Sequence, residues 1–172
     1  MLEPQHETII PFTRYLAGPG DFTPTVLAAE RELLGNTWPH ELAQAIVFTS
    51  PFLCAGGHPK DYLINPAKDL LCAIPAVWDE TRVLNGSEPG KVAAFARRSG
   101  DQWFVGVLNG GEPSTLDIPC DFLGSGVWKS TMLSDAPDKN ADLILKEGTA
   151  SASERVRLEL RPRGGFVARF RR

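Results

Sequence analysis

From Thr81 onward the chain is a succession of short apolar runs, and this rhythm limits the fold more than any other feature. Thr81 to Leu84, Val92 to Ala96, Trp103 to Leu108, Ser114 to Ile118, Val127 to Leu133, Ala141 to Leu145, Arg155 to Leu160 and Phe166 to Phe170 are candidate strands, most of them holding two or more β-branched or aromatic residues. Between them stand Asn85-Gly86, Ser99-Gly100-Asp101 and Asn109-Gly110-Gly111, residues that supply the positive φ angles of tight turns. Short strands recurring about every ten residues predict an antiparallel β-sandwich over residues 75–172.

The first 74 residues have a different grammar. The opening MLEPQHETII is polar, then turns apolar at Ile9 and Ile10, and runs abruptly into Pro11-Phe12-Thr13-Arg14 and Gly18-Pro19-Gly20-Asp21-Phe22-Thr23-Pro24. Such a mixture of Pro, Gly, Asp and aromatics suits a rigid functional loop better than a regular helix or strand. With so little before that loop to pack against it, missing N-terminal material is expected. Thr25 to Leu34 predicts about two helical turns stopped by Gly35-Asn36. Thr37 is a candidate N-cap for a helix from Pro39 to Phe48, where Leu42, Ala43, Ile46 and Val47 form an apolar stripe. A further short helix is expected near Pro66 to Cys72, and the boundary between the two parts near residues 73–78.

Composition excludes little but is useful at two points. The net charge of −3 is split unevenly, −4 over residues 1–74 and +1 over the remainder, so no basic surface for tracking phosphates is visible and no nucleic-acid partner is expected. No run reaches the roughly 18 apolar residues of a membrane helix, so no membrane partner is expected either. Cys54, Cys72 and Cys120 are odd in number, widely spaced and set among apolar neighbours, which predicts buried free thiols. HExxH, GxSxG, the phosphate-cradling GxxxxGK and the Rossmann glycine pattern are all missing from the sequence.

The polar set that could carry chemistry lies early: Glu3, His6, Glu7, Arg14, Asp21, His40, Glu41 and His58. Glu7 and Asp21 could converge as a carboxylate pair for glycoside hydrolysis or as oxygen ligands for calcium if the loop folds back. Each has a structural alternative. Arg14 binds substrate or pairs with Asp21 to brace the loop; Asp21 contacts a ligand or caps a turn. His6 beside Glu7 is a reactive pair or a solvated surface pair, whereas His40 and His58 suit packing. Trp103 and Trp128, in strand-like runs, are expected in the core, although stacking on sugar rings is the functional alternative.

Taken together, these residues resemble the C-terminal portion of glycoside hydrolase family 97, calcium-dependent α-glucosidases and α-galactosidases. The likeness rests on His6-x-Thr8-x-x-Pro11-Phe12-Thr13-Arg14 leading into Gly18-Pro19-Gly20-Asp21-Phe22-Thr23-Pro24, where the family has GPMDYTPG. It continues through His40-Glu41-Leu42-Ala43, Ser50-Pro51, Pro59-x-x-Tyr62, Ile74-Pro75-x-x-Trp78-Asp79 and Ala96-Arg97-Arg98 before Trp103. The resemblance implies a fold of class α/β plus all-β: residues 1–74 as the end of a catalytic (β/α)8 barrel, then an antiparallel β-sandwich over 75–172. It implies that most catalytic carboxylates lie outside this segment, in a periplasmic or secreted parent acting on oligosaccharides with α-linked glucose or galactose. The family glutamate that ligates calcium and is the base in inverting members falls at Glu7, with Glu3 as a further carboxylate, or, alternatively, at Gln5, whose amide carbonyl could bind calcium but could not act as a base. His6, Arg14 and Asp21 become substrate contacts. An incomplete barrel would leave unpaired strand edges, so pairing with the missing barrel portion, or self-association through residues 1–74, is expected.

Overall fold

The structure is a computed structural model that describes residues 3–23, 27, 29–52 and 54–172. All eight expected strands form: β1 (Glu80–Val83), β2 (Val92–Ser99), β3 (Gln102–Asn109), β4 (Ser114–Pro119), β5 (Val127–Asp135), β6 (Leu143–Ser151), β7 (Arg155–Leu160) and β8 (Gly165–Arg171). Six make one sheet in the order β1-β2-β3-β8-β5-β6, and β4 and β7 make a second sheet of two strands. Neighbouring strands are antiparallel throughout. The β2–β3 hairpin turns at Gly100, whose φ of 58° is in the left-handed region that Gly adopts without steric cost. β6 runs further than its apolar residues suggest, because Val127↔Ser151 through Asp135↔Leu143 ladder Lys146-Glu147-Gly148 onto β5.

The small sheet covers one face of the large one. Leu116 and Ile118 of β4 and Leu158 and Leu160 of β7 close over Trp103, Val105, Val107, Trp128, Phe166 and Phe170. Trp103 and Trp128 are 3% and 4% exposed, as expected of core residues. The other face is covered by a helix, α2 (Trp38–Val47). Thr37 caps it as predicted, its side chain accepting from the His40 N–H at 3.2 Å while its hydroxyl donates to Asp135 Oδ1 at 2.6 Å. Leu42, Ala43, Ile46 and Val47 then bury against Phe95, Phe104, Leu108, Leu133 and Val167. Being covered on both faces, β2 and β3 read as near-continuous apolar runs, without the alternation of a half-exposed strand. At Gly106 the helix comes so close that a Cβ would lie 3.0 Å from the Ile46 Cβ and 3.1 Å from the Ala43 carbonyl oxygen.

The described residues of 1–74 do not form the barrel end expected there. Among the described residues before Glu80 there is no β-strand. They form α1 (Pro4–Glu7), α3 (Pro59–Ile64), α4 (Lys68–Leu71) and 3₁₀ turns at Ile10–Phe12, Arg14–Ala17 and Glu30–Glu32. The reason is local. Pro11 has no N–H to give to a ladder, and the N–H groups of Phe12 and Thr13 turn back to the carbonyls of Ile9 and Ile10 at 3.0 and 3.3 Å. The segment then packs through aromatics, Phe12 on Phe95 and both Tyr15 and Phe22 on Phe48. Of the helix expected at Thr25 to Leu34, Thr25, Val26 and Ala28 lie outside the described residues, and Glu30–Glu32 is a single 3₁₀ turn. The cysteine expectation also needs correction: Cys120 is buried, but Cys54 and Cys72 are exposed, because the loops that carry them lie at the surface.

Candidate functional site

The densest polar cluster forms where α1, α2 and the β7–β8 turn meet. Capping by Thr37 sets His40 in the first turn of α2, and Gly165 lets the helix backbone approach β8: a Cβ there would lie 2.6 Å from the backbone N and Cα of His40. His40 Nε2 is 2.7 Å from Glu7 Oε2, and its Nδ1 is 3.0 Å from the Gly164 carbonyl oxygen. Gln44 donates to Glu7 Oε1 at 3.1 Å and to Glu41 Oε1 at 3.4 Å, and Asn36 donates to the same Glu41 oxygen at 2.8 Å. Glu7 and His40 are fully buried, and Glu41 and Gln44 are 1% exposed.

Both ring nitrogens of His40 thus face oxygen acceptors, which favours a doubly protonated ring. Burial pulls its pKa down, but the hydrogen bond and charge of Glu7, with the charge of Glu41 and the Gly164 carbonyl, outweigh it and leave the pKa raised above the ordinary 6.5. His40 and Glu7 therefore form a buried ion pair that ties the N-terminal segment to the sandwich. Both Glu7 oxygens are engaged.

The remaining predicted residues are distributed over the surface. Gln5 is exposed and lies beside Gly90, in a groove also lined by Val92, Asn109 and Gly110. His6 is exposed. Arg14 braces the loop through backbone carbonyls, donating to Gly18 at 3.1 Å and Pro19 at 3.4 Å. Arg14 and the exposed Asp21 are brought together around Tyr15, a residue that sequence reasoning passed over. Burial raises the Tyr15 pKa, Arg14 lowers it and Asp21 raises it. His58 accepts from the Lys60 N–H and caps α3.

Calcium does not fit the donors present here. It takes six to eight oxygens, whereas Glu7 is committed to His40 and Gln44, and Gln5 lies on the surface next to Gly90. Among the described residues no group of three or more His, Cys, Asp or Glu side chains could hold a metal ion.

Arg97 was also missed. It is 5% exposed and donates to the Val47 carbonyl at 3.0 Å and Thr81 Oγ1 at 2.9 Å, with its guanidinium over the rings of Phe95 and Trp78. Among the described residues no carboxylate pairs with it, and burial pushes its pKa down to about 10. The sequence carried it only as part of the Ala96-Arg97-Arg98 motif at the end of the apolar run Val92 to Ala96.

The architecture is an antiparallel β-sandwich with a helical layer on its larger sheet. The family model for the C-terminal domain of glycosyl-hydrolase 97, described as an oligomerisation domain, matches residues 77–171, and the chain belongs to that family. A probable retaining α-galactosidase of Streptomyces bingchenggensis is 33% identical over 95% of this chain and 25% of its own length. The retaining α-galactosidase of Bacteroides thetaiotaomicron is 28% identical over 97% of this chain and 27% of its own. Among solved structures, a family 97 enzyme from Pseudoalteromonas sp. strain K8 in complex with acarbose superposes with a TM-score of 0.88 at 30% identity, covering 98% of this chain and 28% of that one. The chain therefore spans about a quarter of the length of these relatives.

Proposed function

We propose that this chain is the non-catalytic C-terminal region of a longer α-glycosidase: inactive alone, self-associating, and part of an enzyme that hydrolyses oligosaccharides with α-linked glucose or galactose. The observation that carries this reading is the state of Glu7. Glu7, the carboxylate that the family resemblance favours as a base, is fully buried and bonded through both oxygens, so it reaches no glycosidic bond in this chain. In the same reading residues 1–74 belong with the catalytic domain and 75–172 form the C-terminal domain. The exposed Leu16, Phe52, Leu63, Ile64 and Val77 then pack against the rest of the catalytic domain. His6, Arg14 and Asp21 contribute substrate contacts from that side, Glu7 anchors the segment that carries them, and calcium is held by carboxylates of the remaining catalytic domain.

A sugar-binding module built on the sandwich is the second reading. Burial of Trp103 and Trp128 removes the strand aromatics that would stack on sugar rings and favours the interaction role. Hydrolysis of nitrophenyl α-galactoside and α-glucoside by the purified chain tests the proposal. Product formation at the buffer-blank rate is expected, whereas turnover abolished by Glu7→Gln would overturn it.

A further inference from the structure

We infer that the free edge of β6 is the seam of a homodimer, two copies joining their large sheets across a two-fold axis near Leu145; this rests on the self-association reading above. The large sheet ends in two different edges. β1 is only four residues long, and its Glu80 forms ion pairs with both Arg82 and Arg98. Short, charged edges of this kind resist pairing with another chain. β6, by contrast, is nine residues long, and its residues 144–149 are all exposed, including Ile144 and Leu145 at 49% and 43%. Such an edge is a template for strand addition.

Both faces beside that edge are incompletely filled. Ile144 and Lys146 line a groove with Met132, Val156 and Phe166, where the two-stranded sheet stops short of covering β5 and β6. On the opposite face Leu145 and Glu147 line a second groove with Asp69, Leu70 and Arg171. An added strand alternates its side chains between two faces, so one strand fills both grooves.

The occupant that fits is a second copy of this chain. The oligomerisation domain matched by the family model, residues 77–171, contains all of β6. The strand's exposed apolar residues Ile144 and Leu145 can each face their own mate, and Leu145 is the better centre because it overlaps residues 143–147 of the two copies, whereas Ile144 overlaps only 143–145. A two-fold axis perpendicular to the sheet keeps each side chain on its own face, so one residue must face its own symmetry mate. Centring on Lys146 or Glu147 sets like charges opposite each other, which is unfavourable. Centring on Leu145 sets leucine on leucine and Ile144 against the partner copy's Lys146, whose alkyl stem packs along the isoleucine. The seam thus lies in the β-rich domain. Among the described residues of 1–74 there is no strand to supply the unpaired barrel edges expected there.

Sedimentation velocity and disulfide trapping on the full 172-residue chain test the seam. The chain is expected to dimerise, and Leu145→Lys, which sets two like charges across the axis at an exposed position, to weaken dimerisation by roughly tenfold or more with an unchanged circular dichroism spectrum. With Cys54→Ser and Cys72→Ser removing the exposed thiols, Leu145→Cys is expected to give a reducible covalent dimer, since facing cross-strand Cα atoms lie within disulfide range. Val127→Cys, at an exposed site at the other end of the β5–β6 ladder, is expected to give none. A dimer that survives Leu145→Lys and gives no Leu145→Cys cross-link would overturn the β6 seam while leaving self-association intact. A chain that stays monomeric throughout would overturn both.

Discussion

Replacing Glu7 by Ala removes the counter-ion of a fully buried imidazolium. In the wild type His40 Nε2 is 2.7 Å from Glu7 Oε2, the partner whose hydrogen bond and charge hold the ring protonated. Breaking a buried pair by deleting one partner costs about 3–5 kcal/mol, and in this pair Gln44 loses a bond as well. Glu7→Gln keeps the shape and an acceptor for His40 but loses the charge and opposes the Gln44 amide; its cost should be about 1–3 kcal/mol. Urea unfolding followed by tryptophan fluorescence at pH 6 reads both. With a denaturant slope of about 1–3 kcal/mol per molar, Glu7→Ala lowers the midpoint by more than about 1 M. The pH dependence has a definite sign. The His40 pKa is raised in the folded state, so the pair's stabilisation is complete below the unfolded value of 6.5 and is lost as pH rises through the folded one. Wild-type stability therefore falls above pH 6.5, and Glu7→Gln flattens that decline. A Glu7→Ala protein within about 0.5 kcal/mol of wild type, or an unchanged pH slope in Glu7→Gln, would refute the ion pair as the anchor of the N-terminal segment.

Three further outcomes follow from packing. Gly165→Ala drives a methyl into the His40 backbone, 2.6 Å away, so the thermal midpoint should drop by at least about 2 °C; an unchanged midpoint would contradict that contact. Cys54 and Cys72 should react with a thiol reagent in the native protein. Cys120, buried and with its pKa pushed up to about 11 by burial and by Glu154 and Asp121, should react only after unfolding, and three rapidly reacting thiols would contradict its placement. Trp103→Ala and Trp128→Ala should each cost about 3–5 kcal/mol in chemical denaturation, and a change in sugar affinity without loss of stability would return them to a binding face.

The β-domain was legible in the sequence because its determinants are local. Asn-Gly and Gly-Asp turns and apolar runs about ten residues apart mark every strand, and the Thr37 cap with the Leu42 to Val47 stripe marks α2. What stayed illegible depends on contacts distant in the chain. His40 and Glu7 are 33 positions apart, and His40 and Gly164 are 124 apart, so no spacing rule joins them. Likewise Lys146-Glu147-Gly148 has little strand propensity, and the ladder to β5 holds it extended. The barrel expectation failed for a related reason. A barrel strand exists only beside its neighbours, and a Pro-containing segment without them closes its own backbone bonds in 3₁₀ turns. The position of Arg97 follows the same logic, since its burial results from the end of α2 and from Trp78 closing over β2.

The central claim is that this chain works by association, and sedimentation velocity over a wide range of concentration tests it most directly. A reversible shift from monomer to dimer, unaffected by α-linked oligosaccharide, is the result expected. A monomer at every concentration, with a thermal midpoint that rises on adding that oligosaccharide as a bound ligand requires, would contradict it.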